Sequence, residues 1–171
     1  MSYEEKSPTN SAETGPEAFV KSEVFARTFK EGMALVEETA NYLDGDGRSA
    51  SKALSQSAAL SYAGASMRLT TQLMQIASWL LVLRAVRDGD MEISEAWEAK
   101  YRLAAREPAP KEIQSTKELP SVLLALSAAS SQLYSRISRL DADLFSKSEK
   151  GEGQQGDAAA QLRTLHEAFG R

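Results

Sequence analysis

Three stretches of the chain repeat apolar residues at steps of three and four, the spacing that places side chains on one face of an α-helix. The first predicted helix covers residues 22–43, with Ser22 as its N-cap, and the second covers approximately residues 51–87. The third covers 120–145 and opens near Pro120, a residue that is accepted in a first helical turn. The pattern therefore predicts an all-α fold, an antiparallel bundle of three main helices with a short extra helix and disordered termini.

Glycine, proline and acidic residues mark the ends of these helices. We expect "DGDG", residues 44–47, to stop the first helix, since glycine accepts the left-handed conformation that is common after a helix end. "RDGD", residues 87–90, stops the second helix, and a short helix follows with Ser94 as its cap and Trp97 on its apolar side. Two prolines make "REPAPKEIQSTKE", residues 106–118, a connector, because proline is excluded from helix interiors.

The composition of the two ends predicts three regions. Residues 1–18 form a disordered N-terminal arm, 19–146 form the helical bundle domain, and 147–171 form a flexible C-terminal tail. The tail opens with the polar, glycine-rich run "KSEKGEGQQGD", which has too little apolar content to fold alone. It ends in a short amphipathic segment with three apolar residues at helical spacing: Leu162, Leu165 and Phe169.

The second helix contains the most apolar stretch of the chain, "MRLTTQLMQIASWLLVLRAV", residues 67–86. A transmembrane helix needs about 20 predominantly apolar residues. Here Arg68 and Arg84 bracket only 15 uncharged positions, and several of those carry hydroxyl or amide groups. We therefore predict no membrane span, and interpret the stretch as a helix that packs against protein.

Apolar residues occupy two neighbouring faces of this helix. One complete stripe would pack against the other two main helices: Leu69, Leu73, Ile76, Leu80 and Leu83. A second row consists of Met67, Met74 and Leu81, which repeat every seven residues. With this row, the apolar surface of the helix is wider than packing against one side requires. Because three helices can hardly enclose the middle one, we predict a homodimer with this second row at or near the interface. The alternative is that the short Trp97 helix covers it.

Polar residues and a tryptophan form a further row on the same helix. Arg68, Gln72, Gln75 and Trp79 lie at positions i, i+4, i+7 and i+11. Trp and Arg are enriched at binding hot spots, so these four residues are candidates for a partner-binding surface. The alternative is the solvated edge of a bundle helix with the tryptophan half covered.

Composition narrows the classes of function. The net charge of −4, with no tight cluster of basic residues predicted on one face, argues against nucleic acid as a partner. The chain has no cysteine, which excludes disulfides and thiolate nucleophiles and fits a reducing cytoplasm. The single histidine, His166, lies in the tail, where nothing would orient it as a base. "DGDGRS" begins like a calcium loop but has Ser49 and Ser55 where glycine and glutamate are needed. We predict no catalytic residue, metal site or cofactor.

Three longer stretches carry a family resemblance: "FKEGMALVEETANYLDGDGR" (29–48), "SAALSYAGASMRLTTQLMQIASWLLVLRAV" (57–86) and "DGDMEISEA" (88–96). Together they resemble the alphaproteobacterial RcdA family, named as regulators of CtrA degradation. The resemblance implies a small bundle of three main helices that forms a homodimer. It also implies an adaptor without enzymatic activity, which helps deliver cell-cycle regulators to the ClpXP protease and is recruited with other factors to a cell pole.

The resemblance implies protein partners, namely ClpX, a response regulator or another adaptor, and a client regulator. An adaptor must hold two partners at once, and a tether raises the effective concentration of one near the other. The bundle would hold one partner, while Leu162, Leu165 and Phe169 would dock as a helix in a groove of another. The alternative for the tail is an inert disordered end.

Two other functions remain open at this point. The first alternative is a dimeric helical scaffold protein with no protease link, in which the wide apolar arc serves self-association only. An uncharacterised enzyme ranks third. For all three functions we expect a cytoplasmic protein.

Overall fold

The computed structural model describes residues 15–103 and 118–169, with side chains described up to Phe145. Within these ranges every regular element is helical, and three of the helices are long. The all-α bundle of three main helices is therefore confirmed. The elements are α1 (Pro16–Val20), α2 (Glu23–Asp44), α3 (Asp46–Lys52), α4 (Gln56–Asp88), α5 (Ile93–Ala96), a 3₁₀ segment (Ala99–Tyr101) and α6 (Ser121–Phe169).

Serine hydroxyls and one glycine set the ends of the two helices α2 and α4. The Ser22 hydroxyl accepts a hydrogen bond from the Phe25 backbone N–H at 3.2 Å, as its predicted role of N-cap requires. The Ser55 hydroxyl does the same for Ala58 at 3.3 Å, so α4 begins later than the sequence predicts. At the other end of α4, Gly89 has a φ of 82°, the left-handed conformation that favours glycine.

The "DGDG" turn differs from its prediction. Helix α2 does end there, but Gly45 has a φ of −109°, outside the left-handed region, and α3 begins directly afterwards. The glycine that this turn requires is Gly47, two residues after Gly45. A Cβ at Gly47 would stand 2.7 Å from the Tyr42 ring and 2.7 Å from the Tyr62 hydroxyl. The second glycine therefore allows α3 to pack closely against α2 and α4.

Two predicted helix starts are displaced by one or two residues. Ser94 is not a cap, because α5 is a single turn whose N-cap is Glu92, without a side-chain hydrogen bond. Pro120 precedes α6 instead of lying in its first turn, and its carbonyl accepts from the Leu124 N–H at 3.2 Å. A helix of one turn has few backbone N–H groups that a side chain could cap. A capping serine is therefore a weak signal for the start of so short a helix.

The two ends of the bundle extend further than the sequence predicts. Helix α1 begins at Pro16, inside the predicted N-terminal arm, and anchors Val20 in the core. Helix α6 continues to Phe169, through the glycine-rich run in which we predict a linker. That run contains no proline, so the ladder of backbone hydrogen bonds is not interrupted. The division at residues 18 and 146 stays a prediction.

Helix α2 runs opposite to both of its long neighbours. Its early residue Phe29 lies beneath the guanidinium of Arg84, late in α4, at 5.2 Å from the ring centroid. Its Glu31 forms an ion pair with Arg136, in the later half of the part of α6 whose side chains are described. The predicted antiparallel arrangement therefore holds for both pairs that include α2.

Helices α4 and α6 run in the same direction. Three side-chain hydrogen bonds join residues whose numbers increase together along both elements: Ser55 to Glu118, Ser130 to Gln72, and Trp79 to Asp141. The bundle is consequently not antiparallel throughout, because Glu118, just before α6, lies beside Ser55 at the start of α4. Apolar periodicity carries no information about helix direction, so the sequence could not reveal this.

The core lies where the three long helices meet. The predicted stripe of α4 from Leu69 to Leu83 is buried throughout, and Ile76 and Leu80 are fully enclosed. Burial of each such side chain contributes roughly 1.5–3 kcal/mol to stability. Helix α2 approaches α4 very closely at Gly32, where an added Cβ would stand 2.5 Å from a Leu80 methyl group.

By length and composition alone, α4 could cross a membrane, and it is the one helix within the described residues that meets this criterion. A core helix of a soluble protein meets the same criterion. In this bundle the buried stripe of α4 accounts for much of its apolar character. The absence of a membrane span stays a prediction, and the exposed apolar residues of α4 are considered next.

Candidate functional site

A row of large apolar side chains stands exposed along the outside of α4. Four residues at seven-residue steps have high exposed fractions: Leu60 (67%), Met67 (65%), Met74 (65%) and Leu81 (50%). We call this row the α4 outer face. The sequence identifies its last three members, and the same period could have identified Leu60. Four of the seven large apolar residues that are exposed among the described residues belong to this row, and such a patch is typical of an interaction surface.

Small residues separate the members of the α4 outer face. Ala63, Thr70 and Ala77 lie one turn after Leu60, Met67 and Met74 respectively, and the first two are exposed. Large side chains that alternate with small ones create ridges and grooves on a helix. A second helix can therefore approach the α4 outer face closely and insert its own large side chains between the ridges.

An apolar groove adjoins this row between α2 and α4. Its volume is about 320 Å³, and Met74 contributes to its wall. The remaining lining residues are Val36, Thr39, Ala40, Leu43, Asp44, Thr70, Leu73 and Ala77. The Thr39 hydroxyl is buried there without a hydrogen-bond partner among the described residues. The groove is large enough for an apolar side chain of a partner that lies on the α4 outer face.

The short Trp97 helix does not cover this row in the described part of the chain. The Trp97 ring packs edge-on against Phe145 of α6, with 6.3 Å between the centroids. The α4 outer face keeps its high exposure in the presence of α5 and the 3₁₀ segment. The alternative that assigns the second row to intramolecular packing under this helix is therefore wrong within the described ranges.

The predicted polar recognition row is not an exposed surface. Trp79 is 2% exposed and Gln75 is 7% exposed, so neither can be reached by a partner. The Gln72 side-chain oxygen accepts a hydrogen bond from the Ser130 hydroxyl at 2.8 Å, and Arg68 is partly buried. Two members of the row face α6, where Gln72 and Trp79 form hydrogen bonds with Ser130 and Asp141 respectively. The alternative with a half-covered tryptophan is also wrong, because Trp79 is enclosed.

A buried carboxylate connects three elements behind this row. Asp141 is 2% exposed, and its two oxygens accept from the Trp79 indole N–H at 2.8 Å and from Arg102 Nε at 3.2 Å. The Arg102 guanidinium also lies 3.9 Å from the centroid of the Phe145 ring. A buried charge is costly unless it is paired and hydrogen-bonded, as it is here. The cluster therefore fixes the chain after α5 against α6, a structural role.

A second groove runs between α2 and α6 and is rich in arginine. It consists of two adjoining cavities of about 440 and 490 Å³ that share Glu31, Arg136 and Arg139 as lining residues. Arg27 and Val24 line one of them from α2. We call this the α2–α6 groove. The sequence does not reveal it, because Arg27 and Arg136 are distant along the chain and the fold brings them together.

Two described side chains have pKa values that are shifted for structural reasons. Hydrogen bonds from Arg87 and Arg84 lower the pKa of the exposed Asp88 carboxyl. Burial, together with Tyr62 and Asp46, raises the pKa of Tyr42. No group of three or more His, Asp or Glu side chains that could hold a metal occurs in the described part of the chain.

The three tail residues lie in the last part of α6. The backbone at Leu162, Leu165 and Phe169 is helical, as their spacing indicates, but their side chains lie outside the described part of the structure. Their role in docking stays a prediction.

Comparison with known proteins identifies the family. A family model with the description "Protein of unknown function (DUF1465)" matches residues 16–169, most of the chain. The crystal structure of RcdA from Caulobacter crescentus CB15 is similar, with 50% sequence identity and a TM-score of 0.63. The match covers 75% of this chain and 97% of that chain. The comparison with curated proteins gives no match. The resemblance seen in the sequence is confirmed, and the chain belongs to the RcdA family.

Proposed function

We propose that this protein is a non-enzymatic adaptor that binds partners and helps deliver cell-cycle regulatory proteins to the ClpXP protease. The observation that carries the proposal is the 50% identity to Caulobacter RcdA over nearly the whole of that chain. The name of the family points to regulated degradation, and the described residues offer binding surfaces without an arrangement for catalysis. The protein would be cytoplasmic and recruited to a cell pole, as the family resemblance implies.

The α4 outer face supports a homodimer as the working form. Its members repeat every seven residues, the period at which one helix packs along another. In a twofold dimer the same row would meet itself, so that each Met or Leu ridge lies opposite the small residues of the other copy. Met67, Met74 and Leu81 are the residues that we propose at the centre of this interface.

The end of α6 supports the second contact that an adaptor needs. Leu162, Leu165 and Phe169 have the i, i+3 and i+7 spacing of a helix that lays its apolar side in a groove. The described backbone is helical there, so this segment would need little reorganisation to dock. We propose ClpX, a response regulator or another adaptor as the partner of this segment.

A capture experiment tests the function. The full chain and a version that ends at Lys150 are immobilised, and the proteins that each retains from lysate of the native host are identified by mass spectrometry. We expect the full chain to retain ClpX or a response regulator and the shortened chain to lose it. The matched control is a full chain with Leu162, Leu165 and Phe169 changed to Ser, which keeps the length and charge.

The outcomes separate the adaptor from its alternative. If the triple variant behaves like the shortened chain, the apolar side of the segment is the docking element. If all versions retain the same partners, the bundle holds the protease or its adaptor. If none retains a protein other than itself, the dimeric helical scaffold with no protease link becomes the better function. A degradation assay with purified ClpXP and the captured client then tests delivery directly.

A further inference from the structure

The α2–α6 groove concentrates positive charge on an acidic protein. The chain carries a net charge of −4, yet three arginines and one glutamate line the two cavities, which leaves a local surplus of two positive charges. The arginines come from both walls, Arg27 from α2 and Arg136 and Arg139 from α6. A cleft lined by one sign of charge raises the local concentration of oppositely charged ligands.

Much of this charge is available to a ligand. Arg136 is paired with Glu31, but each of these two side chains is half exposed. Arg139 donates through Nε to the Ser135 carbonyl at 3.3 Å, a neutral acceptor that does not cancel its charge. Arg27 is exposed, and no ion pair or hydrogen bond to its guanidinium occurs within residues 15–103 and 118–145.

The groove also has an apolar edge. Val24 is 55% exposed on α2, and Leu140 is partly exposed on α6 opposite it, and both line the same cavity as Arg27. An inorganic anion would not use this edge. Arginines beside exposed aliphatic side chains instead match a polypeptide that carries acidic and apolar residues together.

The geometry favours a helix as the ligand. The walls are two antiparallel helices, and the groove between two such helices accepts a third. Arg136 and Arg139 are three residues apart on one face of α6, so that Glu or Asp at steps of three or four on a partner helix can meet both. Apolar residues between those acidic positions would then reach Val24 and Leu140.

We propose that the α2–α6 groove binds an acidic amphipathic helix of another protein. This inference goes beyond the proposed function, since the groove is separate from the α4 outer face and from the end of α6, and it holds for a scaffold as well as for an adaptor. Exposed ion pairs are weak one by one and are screened by salt, so the contact gives fast, salt-sensitive binding.

The test uses the full chain and a synthetic probe. The probe is a fluorescein-labelled 18-residue peptide of Glu, Leu and Ala, with Glu at steps of three and four on one side and Leu beside them. A second peptide has Gln in place of every Glu. Binding is followed by fluorescence anisotropy at about 50 mM and at about 300 mM salt, and we expect the higher salt to weaken binding of the acidic peptide severalfold.

The variants compare two charge reversals of equal size. In the first, Arg27→Glu and Arg139→Glu are combined, and we expect the Kd of the acidic peptide to rise about tenfold or more. In the matched control, Arg48→Glu and Lys52→Glu are combined on α3, where both side chains are exposed and away from the groove. We expect the control to change Kd less than about twofold. Circular dichroism checks that both variants keep the helical fold.

Several results would overturn the proposal. The proposal fails if the acidic peptide does not bind the unaltered chain at millimolar concentration, or if the Gln peptide binds equally well. It also fails if the two charge reversals change the Kd of the acidic peptide equally. A change of mass in light scattering on Arg27→Glu and Arg139→Glu would assign the groove to a second copy of the chain. Much tighter peptide binding after removal of residues 1–14 would assign it to the acidic N-terminal segment. The assay contains no protease, so its failure is distinct from failure of the adaptor function.

Discussion

The two faces of α4 reverse the distribution of side chains that hydrophobicity alone would suggest. Toward α6, the helix buries Gln75 and Trp79 and half-buries Gln72, while toward the outside it exposes Met67 and Met74. The inward polar groups can be buried because α6 supplies matching partners in Ser130 and Asp141. The outward apolar groups stay largely exposed in the single chain. The difference shows that a polar residue indicates an exposed surface only if no other residue of the fold can form hydrogen bonds with it in the interior.

The largest expected effect comes from the buried side of this comparison. Trp79→Ala removes an enclosed ring and its hydrogen bond to Asp141, so we expect a loss of about 3–5 kcal/mol in the free energy of unfolding. Met74→Ala should change the stability of the monomer by less than about 0.5 kcal/mol, because Met74 is exposed in the single chain. Urea unfolding at low protein concentration measures both. Equal losses would contradict the assignment of the two faces.

A smaller loss is expected from the polar cluster itself. Asp141→Ala leaves the buried Trp79 indole N–H without its acceptor and removes the partner of Arg102, at a cost of about 1–3 kcal/mol. Glu38→Ala is the control, since it deletes an exposed carboxylate on α2. Urea unfolding again gives the difference. A cost no greater than that of the control would show that the cluster contributes nothing to stability.

The exposed side of the comparison predicts a change of assembly without a change of fold. Met74→Arg combined with Leu81→Arg should raise the dimer dissociation constant at least about 100-fold, because it places charges in the proposed interface. Ala125→Arg with Ala128→Arg adds the same charge on exposed positions of α6 and should leave the dimer intact. Light scattering gives the mass, and circular dichroism the fold. Unfolding of the first variant alone would place these residues in an intramolecular core.

The smallest effect concerns a phenol beside the α2–α3 turn. Burial, together with Tyr62 and Asp46, raises the pKa of Tyr42, so the folded state resists its ionisation. Below pH 10 the phenol is neutral in both the folded and the unfolded chain, so it does not affect stability. As the pH rises from 10 through the raised pKa, the unfolded chain ionises first, and the free energy of unfolding falls. Tyr42→Phe should flatten this decline in unfolding experiments between pH 9 and 11. An unchanged decline would assign the pH dependence to other groups.

The sequence predicts those features that depend on periodicity. The buried stripe of α4 and the row Met67, Met74 and Leu81 follow from steps of three, four and seven, and the structure places the first in the core and the second outside. The Ser22 cap and the Gly89 stop are equally local signals. Such features depend on residues close together along the chain, which is why the pattern suffices.

Features that depend on distant residues escape the pattern. The residues near Trp79 in the sequence do not predict that Asp141 accepts a hydrogen bond from its indole N–H. The position of an acidic residue among the apolar residues of α6 could have indicated a buried carboxylate. The α2–α6 groove likewise forms from arginines on two separate helices. The direction of α6 relative to α4 cannot be predicted from the spacing of apolar residues, because the same spacing fits a parallel and an antiparallel pair.

That shared direction has a consequence for the order of folding. Antiparallel α2 and α4 lie close together near their connection, where Tyr42 and Tyr62 both flank Gly47, so their contacts can form progressively from this end. Between α4 and α6, by contrast, the hydrogen-bonded partners are separated by 63, 58 and 62 residues, so no contact is more local than the others. The entropy of closing this loop is lost with the first contact and hardly changes with the rest. We therefore expect α6 to join a preformed α2–α4 hairpin in one late, cooperative step that sets the folding rate.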